Sequence, residues 1–118
     1  MVGIYLNQIL ESNKVVVKGK LSRFRDFVFI DDVISIIEKC IKIKNKKCNI
    51  FNVCTSKKTY VKNLIEKIFK IKNKKAIIFE KKSTPGDQFG IFGNNQKIKK
   101  FLRLKKMISI EEGLKKTV

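Results

Sequence analysis

Apolar positions along this chain recur in two rhythms. Val15, Val16 and Val17 form a short β-branched run, and the stretches 27–30, 50–55 and 76–80 form further aliphatic and aromatic runs, which predict strands. Elsewhere the spacing is helical. Val33, Ile36, Ile37, Cys40 and Ile41 fall at i, i+3, i+4, i+7 and i+8, as do Val61, Leu64, Ile65, Ile68 and Phe69. Ile4, Leu6, Ile9 and Leu10 suit a helix that ends near Ser12 and Asn13, and the chain opens without an N-cap signal, as if inside an element.

Punctuation between these runs is consistent with them. Asp31 and Asp32 stand where the free N–H groups of a helix N-terminus want a side-chain acceptor and negative charge, and Thr59 is the expected cap of the helix beginning near Val61. Asn94 is a third capping residue, before a short helix with Ile98, Phe101 and Leu102 on one face. Ser109 and Glu112 form a capping box for a last helix through Leu114. Turns are expected at 18–20, in the lysine-rich stretch 43–49, and in the loop 83–88 with its Pro85-Gly86 pair. Two strand–helix units in succession imply an α/β fold with both helices covering a sheet.

Composition narrows the reading. A chain of 118 residues, 43% hydrophobic and 32% charged, holds one folded domain spanning 1–118. No apolar run approaches the ~20 residues of a membrane span and no basic-then-apolar leader opens the chain, so no membrane is expected and the expected location is cytoplasmic. The net charge of +18 raises an alternative function, a basic nucleic-acid-binding module. Yet only three of the 28 basic residues are arginine (Arg23, Arg25, Arg103), and the lysines spread along the chain without a helix-turn-helix or aromatic RNA-binding signature. Nucleic acid is therefore not the expected partner.

Candidate chemistry is sparse. The chain has no histidine, and Cys40, Cys48 and Cys54 form no C-x-x-C pair, so neither a zinc site nor a Ser or Cys triad is expected. Cys40 lies on the apolar helix face and Cys54 ends a strand-like run, positions typical of core thiols. The informative segment is Arg23-Phe24-Arg25-Asp26-Phe27-Val28-Phe29-Ile30-Asp31-Asp32. Its arginines precede the apolar run, where a planar guanidinium presents paired donors to phosphate oxygens.

Arg25-Asp26-Phe27-Val28-Phe29-Ile30-Asp31-Asp32 resembles the arginine–aspartate–aromatic strand and Asp pair of the extended short-chain dehydrogenase/reductase family, the NAD-dependent sugar-nucleotide epimerases and dehydratases. Other segments match in order. Ile50 to Thr55 is similar to a family strand that usually continues into glycine, where this chain has Ser56. Gly86-Asp87 resembles a family Gly-Asp pair, but Thr84 stands where a phosphate-binding arginine is often found, so that role is not transferred. Asn94 and Gln96 replace the Asp and Ser of a family helix start, and Ile110-Glu111-Glu112-Gly113-Leu114-Lys115 resembles the closing helix.

The family's dinucleotide-binding half needs a glycine-rich turn where backbone N–H groups approach the pyrophosphate. The glycines here (3, 19, 86, 90, 93 and 113) form no such turn, and neither Tyr5 nor Tyr60 has the family's lysine four residues on. The resemblance therefore implies a small mixed α/β substrate-binding lobe with the Rossmann half missing. That is the C-terminal, sugar-nucleotide-binding part of an epimerase or dehydratase similar to UDP-glucose 4-epimerase, inactive alone. NAD is implied for the complete enzyme and not for this chain. The implied partners are a nucleotide-diphosphate sugar and a separate Rossmann chain; a fragment, a truncated gene product and half of a split enzyme remain open. The resemblance gives Arg25 the role of diphosphate contact, with a surface arginine paired to Asp26 or Asp31 as the alternative. Arg23 is a second candidate, which surface placement explains equally well. No catalytic residue is expected.

Overall fold

The computed structural model describes residues 1–44 and 48–117. Helix α1 (Val2–Glu11) leads through a tight turn at Asn13 into strand β1 (Lys14–Lys18). Strand β2 (Phe24–Arg25) and helix α2 (Ile30–Ile41) follow, then β3 (Thr59–Tyr60), α3 (Val61–Lys72) and β4 (Ile77–Lys81). The chain closes with α4 (Gln96–Leu102) and α5 (Ile110–Thr117). Strand β1 pairs in parallel with β4, from Lys14 opposite Ile77 to Lys18 opposite Lys81, while β2 pairs antiparallel with β3. This is a mixed α/β fold, as expected, but its strands make two small sheets instead of one.

One core joins α1, β1, α3 and α5. Tyr5, Ile9, Val15, Val17, Val61, Leu64, Ile65, Ile68 and Leu114 are buried together, with Phe27, Phe69 and Ile78 packed around them. The alternation of β1 sends Val15 and Val17 inward, and the 3.6-residue period of α3 lines its four buried residues on one face. The expected face of α3 is thus present, whereas on α1 the expected face is not: the buried residues are Tyr5 and Ile9, while Ile4 and Leu10 are exposed.

Several boundaries differ from the sequence reading. Residues 27–29 are not a strand, and α2 begins at Ile30 with Phe29 as its cap residue. Nor does the stretch 50–55 form a strand. At the end of the second segment the N–H groups of Thr55 and Ser56 donate to the carboxylate of Asp26 instead of to a neighbouring strand. Asp31 and Asp32 do not cap α2: Asp32 accepts from the Ile108 N–H at 2.8 Å and Asp31 lies 3.6 Å from the Lys116 ammonium. Thr59 does not cap α3. The first N–H groups of that helix, on Val61 and Lys62, donate instead to the carbonyls of Arg23 (2.8 Å) and Leu21 (3.1 Å). Ser109 does cap α5, accepting from Glu112, and Asn94 accepts from Gln96 at the start of α4. Of the expected turn at 43–49, residues 45–47 lie outside the described residues.

The largest departure is on α2. Of its expected apolar face only Ile36 is buried; Ile37 is 52% and Ile41 77% exposed. With Ile30 and Ile34 exposed as well, one side of α2 is left uncovered, in a molecule that measures 52 × 31 × 17 Å. Cys54 and Ile98 are buried outside the main core, and Cys40 is half-buried.

These contrasts set a stability test. Ile65→Ala empties a fully buried site and is expected to cost about 2–5 kcal/mol in urea unfolding. Ile37→Ala, on the exposed side of α2, is expected to cost less than about 1 kcal/mol. Equal losses would mean that α2 is covered in solution.

Candidate functional site

The two arginines of the 23–32 segment meet over one carboxylate. Arg25 lies at the end of β2, where the Arg25–Thr59 pair closes the small antiparallel sheet. Its Nη2 donates to Asp87 Oδ1 at 2.8 Å and to the Gln88 carbonyl at 3.0 Å, and its Nη1 donates to the carbonyl of Phe24 at 2.8 Å. Arg23 is 6% exposed, ion-paired through Nη1 with Asp87 and donating through Nη2 to the Lys18 carbonyl. Its Nε is buried without a hydrogen-bond partner. The partner of both guanidiniums is thus Asp87, and neither Asp26 nor Asp31. Arg23 is not a surface residue.

Glycine makes this arrangement possible in two places. Gly19 has φ +103°, and a Cβ there would stand 2.7 Å from Cζ of Arg23, so any side chain would push the guanidinium from its slot. A Cβ on Gly90 would stand 2.2 Å from the Phe24 ring, which packs edge-on against Tyr60, Phe89 and Phe92. Phe24 also fixes the loop after β4, through a backbone bond from its N–H to the Phe89 carbonyl (3.3 Å) and a bridge to Gly90. Tyr5 lies on the same side of the core; burial pushes its phenol above the usual tyrosine range, and the charges of Arg23 and Arg25 partly offset that.

Asp26 performs a different task from its neighbours. Its carboxylate accepts from the N–H groups of Thr55 (2.8 Å), Ser56 (2.9 Å) and Gly93 (3.4 Å), and from the Thr55 hydroxyl. Three segments distant in sequence are held by one side chain. Ser56 has φ +59°, the left-handed conformation that a glycine would adopt more readily, and its Oγ accepts from the Asn95 N–H at 3.0 Å. The buried Asn95 amide donates to the Cys54 carbonyl at 2.6 Å. Beside this buckle an open groove of about 500 Å³ is lined by Arg25, Asp26, Cys54, Phe92 and Gly93. Thr84 is exposed and contributes only its carbonyl, to the turn that carries Asp87.

Arg25 is partly exposed, faces this groove, and is held by the Asp87 carboxylate. Sequence reasoning missed Asp87 as the arginines' partner, since 62 residues separate it from Arg25; the Gly86-Asp87 pair was its only trace. It also missed Asp26 as a buckle. Among the described residues no cluster of His, Cys, Asp or Glu could hold a metal ion, and no helix is long and apolar enough to cross a membrane.

No family model matches the chain, and no curated protein does. Solved structures do. UDP-glucose 4-epimerase from the hyperthermophilic eubacterium Thermotoga maritima, solved with UDP-glucose, superposes with a TM-score of 0.87 at 26% identity over 97% of this chain. UDP-glucuronic acid 4-epimerase from Bacillus cereus, a Tyr-to-Phe mutant in complex with a fluorinated UDP-glucuronic acid and NAD, gives 0.88 at 23% identity over 97%. UDP-N-acetylglucosamine 4-epimerase from Methanobrevibacter ruminantium gives 0.87 at 19% over 99%. The chain spans only 36%, 37% and 37% of these proteins. Its fold is that of a part of the NAD-dependent UDP-sugar epimerases and dehydratases of the extended short-chain dehydrogenase/reductase family, as the sequence resemblance implied.

The buckle is testable by itself. Asp26→Asn keeps the shape but removes the charge and one set of acceptors, and is expected to destabilise the fold by about 1.5–3 kcal/mol in chemical denaturation. A loss below about 0.5 kcal/mol would show that Asp26 is not what joins the three segments.

Proposed function

We propose that this chain is the C-terminal, sugar-nucleotide-binding portion of an NAD-dependent epimerase or dehydratase similar to UDP-glucose 4-epimerase, forming a single unit over 1–118. On this reading Arg25 contacts the diphosphate of the nucleotide sugar and Arg23 supports it from beneath. The observation behind it is the fixed, partly exposed guanidinium of Arg25 at a groove, in a fold shared with an epimerase solved with UDP-glucose. Binding of the diphosphate would take Arg25 from Asp87, exchanging one charge-assisted pair for another.

The chain supplies no chemistry of its own in this proposal. Its residues do not fit NAD: none of the described helices opens on a glycine-rich turn able to approach a pyrophosphate, and no Tyr-x-x-x-Lys pair exists in the sequence. Those elements would come from a Rossmann unit. The exposed Ile30, Ile34, Ile37 and Ile41, spaced along one side of α2, supply an apolar surface for such a unit to cover. The cell compartment proposed is the cytoplasm, where nucleotide sugars would be met.

Two measurements test the proposal. The chain alone, incubated with NAD and UDP-glucose, is expected to give no epimerisation; turnover by the chain alone would overturn the division of labour. With a Rossmann unit supplied by fusion or co-expression, Arg25→Ala is expected to weaken nucleotide-sugar binding about ten- to hundredfold, as loss of one charge-assisted contact of about 1.5–3 kcal/mol requires. Arg25→Lys should recover only part, because a point charge cannot reproduce paired donors. Binding by Arg25→Ala as tight as by the parent would remove Arg25 from the site.

A further inference from the structure

Thr55, which Asp26 holds, also lines a second groove, of about 410 Å³, that shares no lining residue with the Arg25 groove and that the sugar-nucleotide reading does not use. Lys57, Lys58, Lys67, Lys99, Lys105 and Lys106 line it, contributed by the loop before β3 and by α3, α4 and the segment before α5. One carboxylate, Glu111, lines it as well, and the Lys67 ammonium already bonds to that carboxylate. This hydrogen bond, with the charge of Lys57 nearby, holds Glu111 below the usual glutamate range, so it stays ionised and committed to Lys67. Lys58 is also engaged, its Nζ 4.8 Å from the centre of the Phe24 ring and 4.5 Å from that of Phe92.

The remaining four ammonium groups, on Lys57, Lys99, Lys105 and Lys106, have no ion-pair partner among the described residues. Like charges converging on one concave site repel one another, and an anion that several of them share removes that cost. The N-terminus of α5 borders the same groove, with Glu111 and Glu112 in its first turn complementing its dipole. Phe27 is the groove's single aromatic residue, and it is half-buried against the core, which leaves no stacking platform for successive bases. A compact ligand with closely spaced charges fits these features better than a nucleic-acid strand does.

We propose that this groove is a binding site for a condensed phosphate chain, separate from the Arg25 site. Free oligophosphate and the phosphate tail of a nucleoside triphosphate share that chemistry. Calorimetric titration of the chain with sodium tripolyphosphate at low salt is expected to give one site per molecule, weakening as salt rises. Lys105→Glu/Lys106→Glu should weaken binding by about tenfold or more, whereas Lys81→Glu/Lys82→Glu, the same change in charge on exposed residues outside the groove, should leave it within about twofold. Circular dichroism checks that each variant folds, and Lys57→Glu/Lys99→Glu repeats the test from other elements. Titrating ATP in parallel separates the sources: equal affinity points to the phosphate chain alone, tighter ATP binding to a nucleotide. The proposal is overturned by no binding at low salt, by equal losses in the groove and control variants, or by a single-stranded RNA that binds where tripolyphosphate does not.

Discussion

Two backbone carbonyls organise this fold. Those of Leu21 and Arg23 receive the first N–H groups of α3, the helix that supplies four of the buried core residues. A helix N-terminus left bare inside a protein is costly, so this junction ties the arginine segment to the core more firmly than its two-residue strand could. The side chains then extend outward from a backbone already fixed. Arg23 fills the slot over Gly19, Arg25 reaches the 87–88 turn, and Asp26 clasps Thr55, Ser56 and Gly93. The proposed binding geometry and the folding geometry share the same few residues.

Much of this was legible from periodicity. The helix α3 and the strand β1 were visible because each answers to its own local rhythm and buries the face that rhythm defines; α1 and β4 form where expected but bury less of theirs. The runs 27–30 and 50–55 misled for the opposite reason. Their residues suit a strand, but strand formation depends on a backbone neighbour that neither run has, and at Thr55 a carboxylate takes the N–H instead. Likewise the sequence shows an apolar stripe on α2 but not whether anything covers it. Arg25 was visible as a candidate through a run of neighbouring residues, whereas its partner Asp87 is adjacent only in space.

The basic surface separates into two kinds. Arginine is scarce, and two of the three arginines lie where their planar heads are held by several fixed acceptors. Lysine is abundant and mostly solvated, with Lys58 and Lys116 laid over aromatic rings and four others facing a common groove. That division follows from the side chains themselves: guanidinium rewards a rigid, directional site, ammonium a diffuse one. A high net charge alone thus says little about where recognition occurs.

The parallel pairing of β1 with β4 has a consequence for the order of events during synthesis. Lys14 is matched with Ile77, so Val15 and Val17 leave the ribosome about sixty residues before the strand that will flank them. Closing so long a loop is entropically slow, and parallel strands offer no hairpin to shorten the search. Until residues 77–81 are made, β1 keeps a backbone edge without its native partner, a template open to any other extended segment.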